Sequence, residues 1–306
     1  MTRLILISLF CFSCVTDKQK VTSNKDEKIL PQRYIVYNNF PSKYVIPRNV
    51  EVWLPTEYDN LQSLPVLYMF DGQNIFHGNK SWMGGGYDHG WQVDGTLDSL
   101  YTLGKIPRMI VVGIFNTGVR RFSEYMPSKP KEKIEERMKY ANEWAKKSLD
   151  ENKGIKSDSL LKFIVEELKP YIDMNYKTKK ERENTYIAGS SMGGLISAYA
   201  ICEYPEIFGY AACISTHWPA LDGVFIEYLK NNIPDPKSHM IYFDYGTEGV
   251  DQKYEPYQKK VDSIMISKGY KEYSNWITKK FDGEDHNADY WRERFHYPIE
   301  FFFTKK

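Results

Sequence analysis

Residues 185–194 read Thr185-Tyr186-Ile187-Ala188-Gly189-Ser190-Ser191-Met192-Gly193-Gly194, and the stretch Met192–Glu203 has helical character. An extended apolar run therefore turns within two residues into a helix, with a serine at the corner and a glycine two positions to either side. So sharp a strand-to-helix turn leaves no room for side chains at Gly189 and Gly193, and it thrusts the central hydroxyl into the open at a helix N-terminus. This is the nucleophile-elbow pattern, and it makes Ser191 the candidate nucleophile. The corner itself is the junction expected of a strand and crossover helix in an α/β sheet.

Outward from the elbow, short β-branched or aromatic runs alternate with longer segments of helical period. The predicted strands are Tyr34–Tyr37, Val50–Leu54, Val66–Phe70, Met109–Phe115, Thr185–Ala188, Tyr210–Ser215, Met240–Asp244 and Trp276–Phe281. The predicted helices are Asp94–Leu103, Ser159–Met174, Met192–Glu203, Pro256–Lys268 and Asp289–Phe303. Together they predict a single α/β domain over 31–306 with a mostly parallel sheet and helices on both faces. Lys129–Lys153 is dense in charge with sparse apolar residues, so it reads as an excursion over the surface and a candidate lid.

A serine at its ordinary pKa needs a base within hydrogen-bond reach, and the base needs an orienting carboxylate. On an elbow fold the chain order is serine, acid, histidine, with the histidine after the last strand. His286, in Asp282-Gly283-Glu284-Asp285-His286, fits that order. His217 comes too early for the base and is expected to line the pocket with Trp218. His77 and His89 fall in the long loop after the third strand, while His239 and His296 read as packing or surface residues. The acid belongs in Tyr245-Gly246-Thr247-Glu248-Gly249-Val250-Asp251, where Asp251 and Glu248 both qualify. Asp251, deeper in the loop, is better able to reach back, and Asp244 inside the strand is a third choice. Acyl transfer also requires two donors for a developing oxyanion. Met192 N–H supplies one, and Gln73 N–H after the third strand supplies the other if Gly72 lets the backbone turn. The run Gly84-Gly85-Gly86 lacks the strand-to-helix context of a phosphate cradle and reads as a mobile rim.

Composition narrows the partners. Forty-one Lys and Arg against 40 Asp and Glu leave a net charge of +1, which provides no footprint for nucleic acid. Aromatic residues make up 15% of the chain, enough for a large core or for a groove that stacks on sugars or arenes, with Trp82, Trp91 and Trp218 near the predicted site loops. Cys202 and Cys213 are too few for a disulfide framework, and no metal-type Cys/His spacing is present, so neither a metal nor a cofactor is expected. Arg3 followed by the largely apolar run Leu4 to Phe12 is too short for the roughly 18–20 residues of a membrane span and reads as an export signal over residues 1–14. Ser13-Cys14 resembles the lipobox of bacterial lipoproteins, which implies a lipid anchor on Cys14, a polar tether over 15–30 and a periplasmic or cell-surface address.

Five segments taken together carry a wider resemblance: Leu67 to Asn74; Gly113-Ile114-Phe115-Asn116 with Arg121 and Glu124-Tyr125; the elbow; Tyr242 to Glu248; and Gly283 to His286 followed by Trp291. With them the chain resembles the putative esterase family of α/β-hydrolases, which includes esterase D, enterobactin-type siderophore esterases, feruloyl and acetylxylan esterases, and the mycolyltransferases. The resemblance implies an eight-stranded α/β-hydrolase fold with Ser191 as nucleophile, His286 as base, and Gln73 and Met192 as oxyanion donors. Asp71-Gly72 stands at the pocket where many relatives carry His-Gly, and the acid of relatives is often nearer the Gly-Thr pair, which keeps Glu248 open beside Asp251. The expected activity is that of an exported serine esterase, working through an acyl-enzyme on acyl esters of carbohydrates or related small esters. A siderophore trilactone esterase, an acyltransferase and a catalytically silent glycan-binding protein are the alternatives.

Overall fold

The computed structural model describes residues 33–76 and 90–303. The expected export signal and tether, Cys14, His77, His89, Trp82 and Gly84–Gly86 lie outside the described residues. Among the described residues there are eight strands: β1 Tyr34–Phe40, β2 Arg48–Trp53, β3 Val66–Phe70, β4 Ile110–Ile114, β5 Thr185–Ser190, β6 Tyr210–Ile214, β7 Met240–Gly246 and β8 Trp276–Phe281. They form one sheet in the order β1-β2-β4-β3-β5-β6-β7-β8. β2 runs antiparallel to β1 and β4, and every other pairing is parallel. β3 and β4 are buried along their whole length, which is why they read as unbroken apolar runs. Successive residues still divide between the faces: Val66, Tyr68 and Phe70 enter one core, while Leu67 and Met69 enter the other.

The helices are α1 Val93–Thr102, α2 Arg121–Tyr125, α3 Lys131–Arg137, α4 Glu143–Asn152, α5 Ser157–Lys162, α6 Lys169–Asn175, α7 Met192–Glu203, α8 Val224–Asn232, α9 Glu255–Ser267, α10 Ala288–Arg294 and α11 His296–Phe303. α7 is buried all the way round from Met192 to Cys202, as an apolar helix behind a central strand must be. Among the described residues, no helix is long and apolar enough to cross a membrane.

Three expectations need correcting. The charged stretch 129–153 is more than an excursion over the surface, since it holds α3 and α4, with Ile134, Ala141, Ala145 and Leu149 packed into the core. With the partly buried Met138 these apolar residues recur at intervals of three and four, a helical stripe that the surrounding charge masks, and the Asn142 side chain caps α4 by accepting from Ala145 N–H at 2.8 Å. The predicted helix 289–303 breaks at Phe295. Pro298 has no N–H to donate, and its ring opposes the carbonyl four residues back, so the chain restarts as α11. Pro170 acts similarly in the long helix after α4, where a wide π-type turn over Phe163–Leu168 separates α5 from α6.

Candidate active site

The loops that carry the site project from the C-terminal ends of β3, β4, β5, β6, β7 and β8. At the end of β5, Ser191 adopts φ 58° and ψ −122°, a strained conformation for any residue other than glycine. It is held there by its N–H, which donates to the Ile214 carbonyl at 2.9 Å, and by its own carbonyl, which accepts from Leu195 N–H and His217 N–H. A Cβ on Gly189 would stand 2.7 Å from the Gly193 carbonyl carbon, so the corner can be built only with glycine there.

His286, after β8, brings Nε2 to 2.9 Å from Ser191 Oγ. Its Nδ1 lies 2.6 Å from Asp251 Oδ1, with the Asp251 side chain wholly buried. The other oxygen, Asp251 Oδ2, accepts from Ser215 Oγ at 2.6 Å and from Gly246 N–H at 2.8 Å. Glu248 is exposed on the same loop, and its carboxylate takes a hydrogen bond from Gln252 instead. What turns Asp251 inward is the docking of two loops. Thr247 N–H and Glu248 N–H both donate to the Glu284 carbonyl, and Gly283 N–H donates to Thr247 Oγ1.

Behind Asp251 lies a buried charge cluster that sequence reasoning missed. Arg294 of α10 is 1% exposed. It donates to Ser215 Oγ and Glu284 Oε2, and sits 3.4 Å from Asp244 Oδ1. Trp291 Nε1 also donates to Ser215 Oγ, at 3.0 Å, so that hydroxyl donates once to Asp251 and accepts twice. Burial opposes ionisation of Asp251, but the hydrogen bond and charge of His286, then Ser215 and Gly246, outweigh it and hold the carboxyl below its ordinary pKa. Asp244 and Glu284 move the other way, each raised chiefly by burial. A proton entering this cluster therefore goes to Asp244 or Glu284 before Asp251, which keeps the carboxylate beside His286 charged. No local pattern distinguishes Arg294 from its neighbour Arg292.

On the opposite wall, Asp71 follows β3 with φ 58° and is clamped by Arg121 through Nε at 2.8 Å and Nη2 at 2.6 Å, with Asn116 Nδ2 at 2.7 Å. Asp71 is thus the left-handed residue of this turn. Gly72 is required for a different reason than the turn, because a Cβ there would stand 2.5 Å from the Gly113 carbonyl carbon of β4. Gln73 follows in a single turn whose N–H groups at Asn74 and Ile75 donate to the carbonyls of Asp71 and Gly72, leaving Gln73 N–H outside that ladder. Met192 opens α7, where a first-turn N–H has no partner within the helix. Asp71, Asn74, Asn116, Arg121, Ser190, Ser191, His286 and Trp291 line a cavity of about 90 Å³.

The two residues expected as pocket lining after β6 part company. Trp218 is 2% exposed, stacks on Phe225 and donates Nε1–H to Gln258 Oε1 at 2.7 Å, so it belongs to the core and not to the pocket. Trp91 is likewise a packing residue, against Trp291 and Phe295. His217 stays beside the site, with Nδ1 2.6 Å from the hydroxyl of Tyr254. Burial, then the neighbouring charges of His286 and Arg121, push its pKa down to about 4. An unfolded histidine titrates near 6.5, so between pH 6.5 and 4 the unfolded chain binds the extra proton. The stability linked to His217 is therefore complete above pH 6.5, declines as pH falls towards 4 and levels off below, a loss of roughly 3 kcal/mol. Denaturant unfolding of wild type and His217→Asn across this window should show the variant with the flatter profile, and equal slopes would refute the assignment.

With this geometry in view, three comparisons are informative. Residues 46–298 match the family model described as "Putative esterase". The uncharacterized protein YbbA of Bacillus subtilis is 24% identical over 271 residues, covering 84% of this chain and 93% of that protein. Among solved structures, a ferulic acid esterase superposes with a TM-score of 0.62 at 18% identity, covering 88% of this chain and 97% of that one. The enterochelin esterase of Shigella flexneri superposes with a TM-score of 0.59 at 18% identity, covering 89% of this chain and 57% of that one. At such identities the two structures speak for the shared α/β-hydrolase fold, while the family match extends from before β2 into α11 and takes in every loop that lines the cavity. On that span, this chain belongs to the putative esterase family.

Proposed function

We propose that the protein is an exported, lipid-anchored serine carboxylester hydrolase that works through an acyl-enzyme. The observation that carries this reading is the continuous hydrogen-bonded line from Asp251 through His286 to Ser191. Ser191 Oγ attacks the ester carbonyl while His286 Nε2 takes its proton, and Asp251 holds the Nδ1–H tautomer and stabilises the imidazolium. The tetrahedral oxyanion is received by the N–H groups of Gln73 and Met192. His286 then protonates the departing alcohol and guides a water onto the acyl carbon to release the acid.

Acyl esters of carbohydrates or related small esters are the proposed substrates. The cavity supports a small, polar group beside the nucleophile, because Asp71, Asn74, Asn116 and Arg121 supply both donors and acceptors there. The likeness to a ferulic acid esterase points the same way, whereas the likeness to an enterochelin esterase favours a trilactone as the second reading. The purified protein should be assayed on p-nitrophenyl esters from acetate to octanoate, methyl ferulate, an acetylated xylo-oligosaccharide and a catechoyl-serine trilactone, with products identified by mass. Preference for the acetylated sugar or methyl ferulate is the expected result, and a preference for the trilactone by tenfold or more would replace the first reading with the second. Transfer of the acyl group to an added sugar, in place of water, would identify an acyltransferase.

A further inference from the structure

Ser215, the residue after β6, is fully buried and sits in the left-handed region at φ 38°. That backbone favours glycine, and a strained residue next to a catalytic acid directs attention to what its side chain does. The backbone is pinned by its own N–H, which donates to Asp244 Oδ1 at 2.9 Å, while the Tyr242 hydroxyl holds Asp244 Oδ2 at 2.9 Å. The Ser215 hydroxyl then meets three groups whose roles chemistry fixes. Trp291 Nε1 and Arg294 Nη2 can only donate, and the ionised carboxylate of Asp251 can only accept. With a single hydrogen to give, Ser215 must direct it to Asp251 Oδ2, 2.6 Å away.

Trp291 and Arg294 lie three residues apart on α10, whose first turn is capped by the Asn287 side chain accepting from Asp289 N–H at 3.1 Å and Tyr290 N–H at 3.3 Å. The same helix also reaches the base. The Trp291 ring stands edge-on to His286 with centroids 4.9 Å apart, and Arg294 Nη1 donates to Glu284 Oε2, two residues before the histidine. α10 thus holds both members of the acid–base pair, His286 directly and Asp251 by way of Ser215. With the Ser215 hydroxyl and Gly246 N–H both on Oδ2, the carboxylate is fixed in rotation and Oδ1 is left for His286 Nδ1. We propose that Ser215 is a positioning residue that fixes the rotation of the Asp251 carboxylate by donating to Oδ2, and that Trp291 and Arg294 clamp its hydroxyl in that direction.

The inference rests on the ester-hydrolase reading above. When Ser191 attacks, its proton passes to His286 Nε2, and the imidazolium so formed is stabilised through Nδ1–H by Asp251 Oδ1. The same imidazolium forms again when His286 takes a proton from the attacking water. A carboxylate free to turn would meet Nδ1–H off its line of approach in both steps, and a hydrogen bond weakens steeply with such misalignment. Ser215 itself gains and loses no proton and lies behind the acid, away from substrate. Its effect is confined to the steps that charge the imidazole and leaves substrate binding alone.

The test uses the full chain with Ser215→Gly, Ser215→Ala, Asp251→Asn, and Ser215→Gly combined with Asp251→Asn. The readouts are the second-order rate of Ser191 labelling by a fluorophosphonate, kcat and KM on p-nitrophenyl acetate, and the melting temperature, with Ser191→Ala as the unlabelled control. Both Ser215 variants should slow labelling and kcat by about ten- to a hundredfold, the usual weight of a hydrogen bond to a charged group, with KM within about twofold of wild type. Glycine accepts φ 38° where alanine stays strained, so Ser215→Gly should melt above Ser215→Ala while being equally slow. A merely structural role would instead make activity follow the melting temperature. In the Asp251→Asn background, Ser215→Gly should cost less than about twofold more, because the serine acts only through the acid. Labelling of either Ser215 variant at the wild-type rate, activity that follows melting temperature, or losses that multiply in the double variant would overturn the proposal while leaving the esterase reading intact. A wild-type chain that neither labels nor turns over would overturn both. If the Ser215 variants melt too low to assay, Trp291→Phe decides, since it removes one of the two clamping donors and keeps a ring against His286. It should cost about two- to tenfold in kcat, and nothing further in the Asp251→Asn background. The wild-type rate, or a loss that persists in that background, would overturn the proposal.

Discussion

Replacing Ser191 by alanine lowers kcat for ester hydrolysis by about 10⁵ to 10⁶, equivalent to about 7–8 kcal/mol of transition-state stabilisation. The size follows from the side chain being the atom that forms the acyl-enzyme, so nothing left in the site can substitute for it. The residual rate above water comes from the oxyanion donors and from substrate binding. The change removes one oxygen and leaves the backbone bonds of residue 191 to Ile214, Leu195 and His217 in place, so the melting temperature should stay within a few degrees of wild type. Steady-state kinetics on p-nitrophenyl acetate, with an active-site titration to exclude wild-type contamination, measures the loss. Activity within a hundredfold of wild type would place the nucleophile elsewhere.

Asp251→Asn should reduce kcat by about 10⁴, roughly 5.5 kcal/mol, with KM little changed. The sign and size come from the donors around the carboxylate. Ser215 Oγ and Gly246 N–H both donate to Oδ2, so the amide oxygen of an asparagine is drawn to that position and its NH₂ is turned towards His286. An NH₂ group cannot accept from Nδ1–H, and the imidazole must shift its proton to Nε2. In that tautomer it has no lone pair for the Ser191 proton. Glu248→Gln, on the exposed side of the same loop, should remain within about twofold of wild type. If Asp251→Asn retained a tenth of the activity while Glu248→Gln lost it, the acid would be Glu248.

These two acids lie three residues apart, yet no property local to residues 245–251 separates them. The difference arises where the loop after β7 docks on the loop after β8 through the Glu284 carbonyl. The same limit explains Trp218 and His217, adjacent in sequence but divided between core and site, and Arg294, a charge buried in a helix that also carries the partly exposed Arg292. The helices α3 and α4 were hidden for a related reason, since their apolar stripe is thin and its burial depends on what the rest of the fold places beneath it.

What the amino-acid sequence determined by itself was whatever short-range sterics and periodicity control: eight strands in their places, the helical segments that hold α1, α5 and α6, α7, α9, and α10 and α11, the Gly-Ser-Gly corner that exposes Ser191, and the chain order that singles out His286. Backbone conformation at a tight turn and the two-residue or 3.6-residue repeat of apolar side chains depend on neighbours only a few positions away. The tertiary structure alone decided which carboxylate faces His286 and what holds it charged. Those pairings join residues 35 and 95 positions apart, from Asp251 to His286 and from Ser191 to His286. Their distances are set by strand register and loop docking, which become defined only once the sheet has closed.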